Sequence, residues 1–425
     1  MEYYIGVDSG TSAFKAVLLS HAGETIASAE VAVELLKDGS KVEMSATAYR
    51  DAFFEAVRKV AAGHSEDVKA IAVSGAAGST LYLDANGNPS PIISWTDTRT
   101  KGAKLPELEE LTSDEIRQVT GWPCVDSFPL AHIAWLRENK PTELEKASWI
   151  GLCTDYLVYC LCGRHVMDLS TATTMHLVDQ VQRKYHDDYI RRLGLRSDQL
   201  SELVTTGTII AQILPETAKL CNVSPKTMVI AGSFDHPAAA RGCGVHHEGE
   251  MLLSCGTSWV AFFPVNSREW IVSHKLLCDP FESHLGGSYG AMFSIACLGQ
   301  TVDCYVRKLI APEANEPYAV FNRFAEECGD TDDIIDMKAP LPANAPMPPK
   351  RLARAVMNGT AKLFADSVRK LEMPHPITKV FLAGGPAKSS VWPDIIRKYT
   401  GFNLEVTDSL TGARGAARLG MVIPS

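Results

Sequence analysis

The chain has 425 residues, of which 46% are hydrophobic and 21% charged, a composition typical of a soluble globular protein with two domains. Its formal net charge of −9 argues against broad nucleic-acid binding but leaves room for a local anion site. The 11 cysteines include no Cys-x-x-Cys pair, which favours a reducing cytoplasm over a disulfide framework. No run of about 18 apolar residues occurs, so we expect neither a membrane span nor a signal peptide.

The first hundred residues alternate between strand-like and helix-like patterns, as in α/β proteins. Residues Ser45–Ala62 are predicted to be helical because their apolar positions recur every three and four residues. The stretch from Pro106 to Leu203 is predicted to be mostly helical and polar. Four strand-like runs are predicted at Tyr3–Val7, Ala13–Leu19, Thr25–Ala32 and Ala70–Ser74.

The same pattern restarts in the second half, which indicates one large structural unit used twice. A helix is predicted over Arg351–Leu371, and we place the domain boundary near residues 236 to 246. Four further strand-like runs are predicted at Val229–Ala231, Met251–Leu253, Trp259–Phe263 and Val380–Ala383.

Two Gly-Thr-Ser sequences lie at the tips of predicted hairpins in the two halves. Backbone amides of Gly-rich turns and small hydroxyl groups suit phosphate oxygens, although one such turn alone is an ordinary hairpin. Two of the same kind favour two related domains that bind one nucleotide, and so phosphoryl transfer. The candidate phosphate contacts are Gly10, Thr11, Ser12, Gly256, Thr257 and Ser258.

Asp8 ends a buried strand beside the first of these loops. It is either a turn-forming residue or a carboxylate near Mg²⁺, which binds one or two carboxylates together with phosphates and water. Lys15, four residues beyond Thr11, either returns across the hairpin to a phosphate or is exposed.

Asp235 follows a short buried strand and precedes a helix-like stretch of small residues. It is either a helix N-cap or a carboxylate placed to take a proton from a substrate hydroxyl. The adjacent His236 is interpreted as a supporting or core residue.

Two further segments carry candidate ligand contacts. Gly384 and Gly385 form a third Gly-rich strand end, where backbone can approach a ligand closely, and Ser389 follows them. Asp97 and Arg99 lie two residues apart on a segment predicted to be extended, so their side chains would face the same side. With Trp95 beside them they either bind sugar hydroxyls or form a surface ion pair.

Taken together, these motifs resemble those of the FGGY carbohydrate kinases, over nearly the whole chain. Ile5–Ser12 and Ser254–Ser258 look like the family's two phosphate motifs, and Val380–Ser390 looks like its adenosine-site loop. The segment Ile230–Ala240 is similar to the one that carries the family's catalytic aspartate, which maps to Asp235.

The resemblance implies an α/β protein of two actin-like (ribonuclease-H-like) domains with an interdomain cleft, residues 1–240 binding the sugar and 241–425 the nucleotide. It implies ATP-dependent phosphorylation of a sugar or polyol hydroxyl, with Asp235 as general base and Asp8 near Mg²⁺. By match to the family, Gly299 and Asp303 are expected near the nucleotide. A cytoplasmic enzyme is expected, with a homodimer as the common family state and no nucleic-acid or membrane partner.

The segment after Ser74 departs from the family pattern. Xylulokinases carry Gln-Met-His-Gly after Ser-Gly, whereas here Ser74-Gly75 is followed by Ala76–Ser79, which includes the candidate substrate residue Gly78. Small residues there would enlarge the sugar pocket or make it less polar, and the second domain is also shortened. A non-catalytic nucleotide- or sugar-binding protein on the same scaffold is therefore the alternative, and an actin-like or chaperone ATPase is a third.

Overall fold

The computed structural model describes residues 1–101 and 111–422 of the chain. These residues form two compact units, and each unit is drawn from separate parts of the sequence. The first unit holds residues 1–246, 266–290 and 410–422, apart from the undescribed stretch at 102–110. The second holds residues 247–265 and 291–409.

The described residues contain short strands throughout. In chain order they are β1 (Tyr3–Ser9), β2 (Ala13–Ser20), β3 (Thr25–Ala32), β4 (Leu36–Asp38), β5 (Lys41–Met44), β6 (Val68–Gly75), β7 (Thr80–Leu83), β8 (Ile92–Ile93), β9 (Trp149–Leu152), β10 (Val166–Asp168), β11 (Val178–Asp179), β12 (Lys184–Tyr185), β13 (Glu202–Val204), β14 (Ile209–Gln212), β15 (Met228–Phe234), β16 (Glu250–Cys255), β17 (Trp259–Val265), β18 (Leu277–Asp279), β19 (Tyr289–Ile295), β20 (Lys379–Gly384) and β21 (Asn403–Val406).

The α-helices lie between these strands. In chain order they are α1 (Ala46–Ala61), α2 (Ser113–Thr120), α3 (Pro129–Asn139), α4 (Pro141–Lys146), α5 (Cys153–Cys162), α6 (Leu169–Thr173), α7 (Asp187–Arg192), α8 (Pro215–Cys221), α9 (Asp235–Cys243), α10 (Arg268–Ser273), α11 (Leu298–Tyr305), α12 (Pro317–Cys328), α13 (Pro349–Arg369), α14 (Trp392–Thr400) and α15 (Thr411–Gly420).

The main sheet of the first unit has the strand order β14-β15-β6-β1-β2-β3. Strands β15, β6 and β1 run parallel, and β2 and β3 return antiparallel at one edge. Strand β1 is apolar and buried over nearly its whole length, as expected for a central strand covered on both faces. One face of the sheet packs against the apolar side of α1, whose buried residues include Phe53 and Val57.

The second unit repeats this local topology. Strand β16 pairs antiparallel with β17 on one side and parallel with β20 on the other, and β20 pairs parallel with β21. This is the relation that β1 has to β2, β6 and β15 in the first sheet. Each Gly-Thr-Ser loop therefore joins the first two strands of its sheet, and the prediction of two hairpin tips is confirmed.

The residues of the two units differ from the predicted division between residues 240 and 241. Segments 266–290 and 410–422, predicted for the second domain, pack with the first unit. Helix α15 lies directly on β1, since a Cβ at Gly6 would overlap the backbone of Ala413 and Ala417. It also crosses α9 at close range, where a side chain at Gly415 would overlap the carbonyl of Ala238. Backbone contacts this close need small residues on both partners.

Most of the predicted elements are confirmed, with their ends shifted by a few residues. The helix predicted at Ser45–Ala62 is α1 and the one predicted at Arg351–Leu371 is α13. The prediction of a mostly helical stretch from Pro106 to Leu203 is wrong in part, because short strands β9 to β13 interrupt it. Its first residues, 106–110, lie outside the described part of the chain.

Candidate functional site

The first Gly-Thr-Ser loop is a tight turn between β1 and β2. The amide of Gly10 donates to the carbonyl of Ala13 at 3.1 Å and closes the turn. The carbonyl of Ser12 accepts from the amide of Val33 at 2.9 Å. The hydroxyl of Thr11 accepts from the indole Nε1 of Trp95 at 2.7 Å, so a predicted substrate residue contacts a predicted phosphate residue.

Asp8 stands beside this loop at the carboxyl end of β1. It lies opposite Lys15 on β2 and Ser74 on β6. Burial and the negative charge of Asp235 raise the pKa of the Asp8 carboxyl group to about 7, against the opposing charge of Lys15. Helix α15 begins against this carboxylate, because a Cβ at Gly412 would lie 2.6 Å from Asp8 Oδ2.

Asp235 is the first residue of α9 and follows β15 directly. Its Oδ1 accepts from the amide of His236 at 2.6 Å, and Nε2 of that histidine lies 4.0 Å away. The side chain is 33% exposed, and its second oxygen accepts from no described residue. Burial raises the pKa of Asp235, and the neighbouring His236 opposes the shift.

The carboxylates of Asp8 and Asp235 both lie at the carboxyl ends of the parallel strands of the first sheet. Phe234 pairs with Gly75 on β6, and Gly75 pairs with Ser9 on β1. Asp8 and Asp235 therefore lie at the carboxyl ends of two parallel strands, β1 and β15, that are separated by β6. Carboxyl ends of parallel strands are the usual place for ligand-binding residues in α/β sheets. The sequence indicated each strand end separately, and the structure brings the two residues together.

Gly78 occupies a confined position near the same strand ends. Its φ of +86° lies in the left-handed region, and a Cβ would sit 3.0 Å from the ring of Phe128 and from Cβ of Trp95. Trp95 itself is 39% exposed. Gly78 and Trp95 therefore remain candidates for substrate contact on one side of the first loop.

Asp97 and Arg99 do not form the open pair that the sequence suggested. Residues 95–101 make turns instead of an extended segment, and Asp97 is completely buried. Both carboxylate oxygens accept from Arg99, and Oδ2 also accepts from the amide of Val42 at 2.7 Å. Burial acts to raise the pKa of Asp97, but these hydrogen bonds outweigh it and hold the pKa below its ordinary value.

The Arg99 guanidinium also contacts other residues of the protein interior. It donates to Glu43 at 2.6 Å and lies over the ring of Trp135, 5.1 Å from its centroid. The alternative of a surface ion pair is therefore wrong, since the pair is interior. That Asp97 and Arg99 bind sugar hydroxyls stays a prediction, although both oxygens of Asp97 and Nε and Nη2 of Arg99 already form hydrogen bonds within the protein.

The second Gly-Thr-Ser loop, in the second unit, is backed by a helix. The amide of Gly256 donates to the carbonyl of Ser258 at 3.1 Å, and Ser258 Oγ accepts from the amide of Cys297 at 3.1 Å. The first turn of α11 lies against the loop so closely that a Cβ at Gly299 would overlap the carbonyl oxygen of Gly256.

The third Gly-rich segment, at Gly384 and Gly385, lies beside the second Gly-Thr-Ser loop. The amide of Gly385 donates to the carbonyl of Cys255 at 3.1 Å, at the base of the second loop. A cavity of about 530 Å³ opens here within the second unit. The predicted nucleotide residues that line it are Gly256, Thr257, Gly299, Asp303 and Gly385.

Three residues predicted for this site, Ser258, Gly384 and Ser389, are not in the cavity wall. Ser389 is buried, and its hydroxyl accepts from the amides of Val391 and Trp392 at the start of α14. Its hydroxyl thus satisfies the amide of Val391, the residue before α14, and that of Trp392, the first residue of the helix, because free amides at a helix start need an acceptor.

Several wall residues were missed by the sequence analysis: Cys255, Trp259, Gln300, Val302, Tyr318, Pro386 and Trp392. The rings of Trp259 and Trp392 lie 5.9 Å apart between centroids, and Tyr318 donates its hydroxyl to Asp303 at 3.1 Å. One signal was available, since Trp259 directly follows the second loop and Trp392 follows the third Gly-rich segment. Nothing local in the sequence marks Tyr318.

Comparison with known proteins identifies the family of this chain. Residues 3–242 match the family model described as the N-terminal domain of the FGGY family of carbohydrate kinases. The gluconokinase of Bacillus subtilis (strain 168) is 25% identical over 454 residues, which covers 99% of this chain and 87% of that protein. The xylulose kinase of Escherichia coli (strain K12) is 26% identical over 445 residues, covering 99% and 90% respectively.

A solved structure shows the same fold. The crystal structure of xylulose kinase from Rhodospirillum rubrum superposes with a TM-score of 0.87 at 20% sequence identity, covering 99% of this chain and 90% of that one. The prediction of an α/β protein built from two actin-like domains is confirmed.

The chain belongs to the FGGY family of carbohydrate kinases. It is accordingly an ATP-dependent kinase, which transfers phosphate to a hydroxyl group of a small carbohydrate substrate. Among residues 1–101 and 111–422, no helix has the length and apolar character needed to cross a bilayer. The same residues hold no group of three or more His, Cys, Asp or Glu side chains arranged for a metal ion.

Proposed function

We propose that Asp235 is the general base of this kinase and that Asp8 binds Mg²⁺. The observation that carries the proposal is the meeting of these two carboxylates at the ends of parallel strands, close enough for the charge of Asp235 to raise the pKa of Asp8. A base that removes a proton from an acceptor hydroxyl and a carboxylate that faces Mg²⁺ and phosphate are the protein groups that phosphoryl transfer needs.

Asp235 fits the role of the base. One carboxylate oxygen is fixed by the amide of His236, which leaves the second oxygen available to accept a proton from a substrate hydroxyl. Burial raises the pKa of Asp235, and a carboxylate whose pKa is nearer to the working pH is a better proton acceptor.

Asp8 is suited to be a ligand of Mg²⁺. Mg²⁺ is usually bound by one or two carboxylates together with water and substrate phosphate, and two carboxylates that repel each other favour a bound cation. When bound, Mg²⁺ supplies positive charge that offsets the charge on the phosphate groups. Asp8 would hold it directly or through water, and Lys15 opposite Asp8 would contribute further positive charge near the first loop.

The cavity of the second unit fits the nucleotide. Its wall combines the backbone of Gly256 and Gly385 with the hydroxyl of Thr257, and aromatic rings from Trp259 and Trp392 supply apolar surface. Backbone amides and a hydroxyl suit phosphate oxygens, while flat apolar walls suit a purine ring. We infer that ATP binds here.

The acceptor is inferred to be a small polyhydroxylated molecule of the kind that the relatives phosphorylate. The proteins most similar in sequence include a gluconokinase and a xylulose kinase, so a sugar acid and a ketopentose are the first candidates. Gly78 and Trp95, close to the first loop, are the residues proposed to contact it.

The test is release of ADP from Mg·ATP with D-gluconate, D-xylulose and glycerol as acceptors. Asp235→Asn should lower kcat by roughly 100- to 10,000-fold, because the general base is lost, while ATP still binds. Asp187→Asn, the same change at an exposed residue, is the matched control and should leave kcat unchanged. Turnover by Asp235→Asn close to that of the unmodified protein would disprove the base assignment, and ATP binding without product from any acceptor would favour a non-catalytic role.

A further inference from the structure

The two residues before Asp235 are held by hydroxyl groups from distant parts of the first unit. The amide of Ser233 donates to Ser74 Oγ at 3.1 Å, and the amide of Phe234 donates to Ser170 Oγ at 3.2 Å. Ser170 and Ser74 have no exposed surface. The backbone that carries Asp235 into α9 is therefore attached to side chains on α6 and β6.

Ser170 is itself oriented by a carboxylate. Its hydroxyl donates to Asp279 Oδ2 at 2.6 Å, and Asp279 is completely buried. Because the proton of the hydroxyl points to Asp279, a lone pair of the same oxygen is directed to the amide of Phe234. Hydrogen bonds in such a chain polarise and strengthen one another. Asp279 is thus connected to the residue next to Asp235 through a single side chain.

A buried cation accompanies this chain of hydrogen bonds. Arg241, on the helix that Asp235 begins, has no exposed surface, and it donates through Nη1 to Ser233 Oγ at 3.1 Å. Its guanidinium lies 4.1 Å from the ring centroid of Phe281. Burial lowers the pKa of Arg241 to about 10, and the charges of Asp279 and Asp168 oppose that shift. A buried charge is costly to keep, and this one contributes a hydrogen bond to the segment that precedes Asp235.

We propose that Asp279 and Ser170 are positioning residues that fix the backbone at Phe234 and thereby aim the carboxylate of Asp235. The proposal rests on the proposed role of Asp235 and deepens it. Asp279 belongs to segment 266–290, which lies in sequence between the two parts of the second unit but packs with the first unit. The proposal gives this segment a role in catalysis. Neither residue contacts the substrate; both act through Asp235.

The chain offers a matched control for this pair. Ser201 donates to Asp155 at 2.6 Å, and both residues are buried, as are Ser170 and Asp279. Ser201 in turn accepts from the indole of Trp149 and has no hydrogen bond to the segment around Asp235. Ser201→Ala therefore removes a buried serine–aspartate hydrogen bond of the same length without touching the proposed network.

The experiment compares Ser170→Ala, Asp279→Ala and Ser201→Ala, using whichever of D-gluconate, D-xylulose and glycerol gives the largest ADP release. A displaced catalytic group lowers the rate strongly, so Ser170→Ala and Asp279→Ala should lower kcat by roughly 10- to 100-fold. The KM for ATP should stay within about twofold, because the nucleotide cavity belongs to the other unit. Ser201→Ala should leave kcat within about twofold of the unmodified protein.

Two further measurements separate positioning from general destabilisation. In an Asp235→Asn background, Ser170→Ala should cause no further loss of the residual rate, because its effect passes through Asp235. Hydrogen exchange at the amide of Phe234 should be faster in Ser170→Ala than in Ser201→Ala, and this measurement does not depend on activity.

The proposal is overturned if Ser170→Ala keeps kcat within twofold, if Ser201→Ala loses as much as Ser170→Ala, or if the loss persists in full in the Asp235→Asn background. High turnover by Asp235→Asn alone is a separate result, which refutes the proposed base and not the hydrogen bond to Phe234. If Asp279→Ala fails to fold, Ser170→Ala alone decides the outcome, since it removes only one oxygen atom.

Discussion

The two Gly-Thr-Ser loops have the same three residues and the same place between the first two strands of a sheet, yet their surroundings differ. The first loop has Asp8 and Lys15 on its flanking strands and a hydrogen bond from Trp95 to Thr11. The second loop follows Cys255, carries no carboxylate on its preceding strand end, and is backed by the first turn of α11 and by Gly385.

This difference indicates that the two loops have different functions, although their three residues are the same. The first loop lies among charged groups that suit metal and proton transfer, whereas the second forms part of a cavity wall made of backbone and aromatic rings. Even the supporting glycines differ, although each is the second residue of a helix. Gly412 approaches the carboxylate of Asp8, and Gly299 approaches the backbone carbonyl of Gly256.

Loss of the charge beside the first loop should have the largest effect. Asp8→Asn should lower kcat by on the order of 100-fold or more and raise the Mg²⁺ concentration needed for half-maximal rate, because the carboxylate proposed to face Mg²⁺ is gone. Thr257→Ala, in the second loop, should instead raise the KM for ATP. The measurement is steady-state kinetics at varied Mg²⁺, and equal Mg²⁺ dependence in the two variants would remove the distinction between the loops.

The two glycines offer a paired test of intermediate size. Gly299→Ala places a methyl group against the second loop and should raise the Kd for ATP by about tenfold, whereas Gly412→Ala should lower kcat by about tenfold with little effect on ATP binding. Both substitutions suit a helix equally well, so each serves as the control for the other. ATP binding measured by calorimetry, together with kcat, would contradict the comparison if both variants changed the same constant.

An effect on stability is also expected, as a function of pH. The pKa of Asp8 is about 7 in the folded protein, above its ordinary value of 3.8. The folded state therefore binds this proton more tightly than the unfolded state. The resulting stabilisation is complete below pH 4 and is lost as the pH rises through about 7.

Asp8→Asn removes this dependence and should raise the free energy of unfolding by at most about 4 kcal/mol at pH 8 but not at pH 4, because each pKa unit between 3.8 and about 7 is worth about 1.4 kcal/mol. Thermal unfolding of both proteins across this range is the measurement, with Thr257→Ala as the variant that should show no pH-dependent difference. A stabilisation that is the same at both pH values would speak against a buried charge at Asp8.

The smallest expected effect concerns the hydrogen bond from Trp95 to Thr11, which has no counterpart at the second loop among residues 1–101 and 111–422. Trp95→Phe keeps a ring but removes the indole donor, and one lost hydrogen bond of about 1 kcal/mol should lower kcat/KM for the acceptor by about fivefold. Thr11→Ser keeps the hydroxyl and should have little effect. An unchanged kcat/KM in Trp95→Phe would show that the loop does not need this contact.

The sequence alone predicted those candidate site residues whose position in the fold depends on local pattern. Asp8, Asp235 and both Gly-Thr-Ser loops were predicted because each lies where an apolar strand ends, and strand ends are visible as a change in composition. The structure places each of them at a strand end. The repeated order of strands predicted the two related sheets. These inferences needed only neighbouring residues.

The rest depends on contacts between distant residues. Asp97 and Arg99 were expected to be open, but Val42 and Glu43, more than 50 residues earlier, enclose them. Ser389 was expected at the ligand, and its buried hydroxyl accepts from the amides of Val391 and Trp392 at the start of α14, because a buried hydroxyl binds the nearest free amides. The link from Asp279 through Ser170 to Phe234 joins three distant segments, and no local pattern marks it.

The seating of α15 on β1 has a consequence for how the molecule is made. Asp8 emerges early during translation, whereas Gly412 and the rest of α15, which cover its carboxylate and the central strand, are synthesised long afterwards. One face of the first sheet therefore stays uncovered by α15 until the whole of the second unit has been synthesised. In a nascent chain stalled before residue 410, that apolar face would be open to chaperones, although most of the unit's residues are already present.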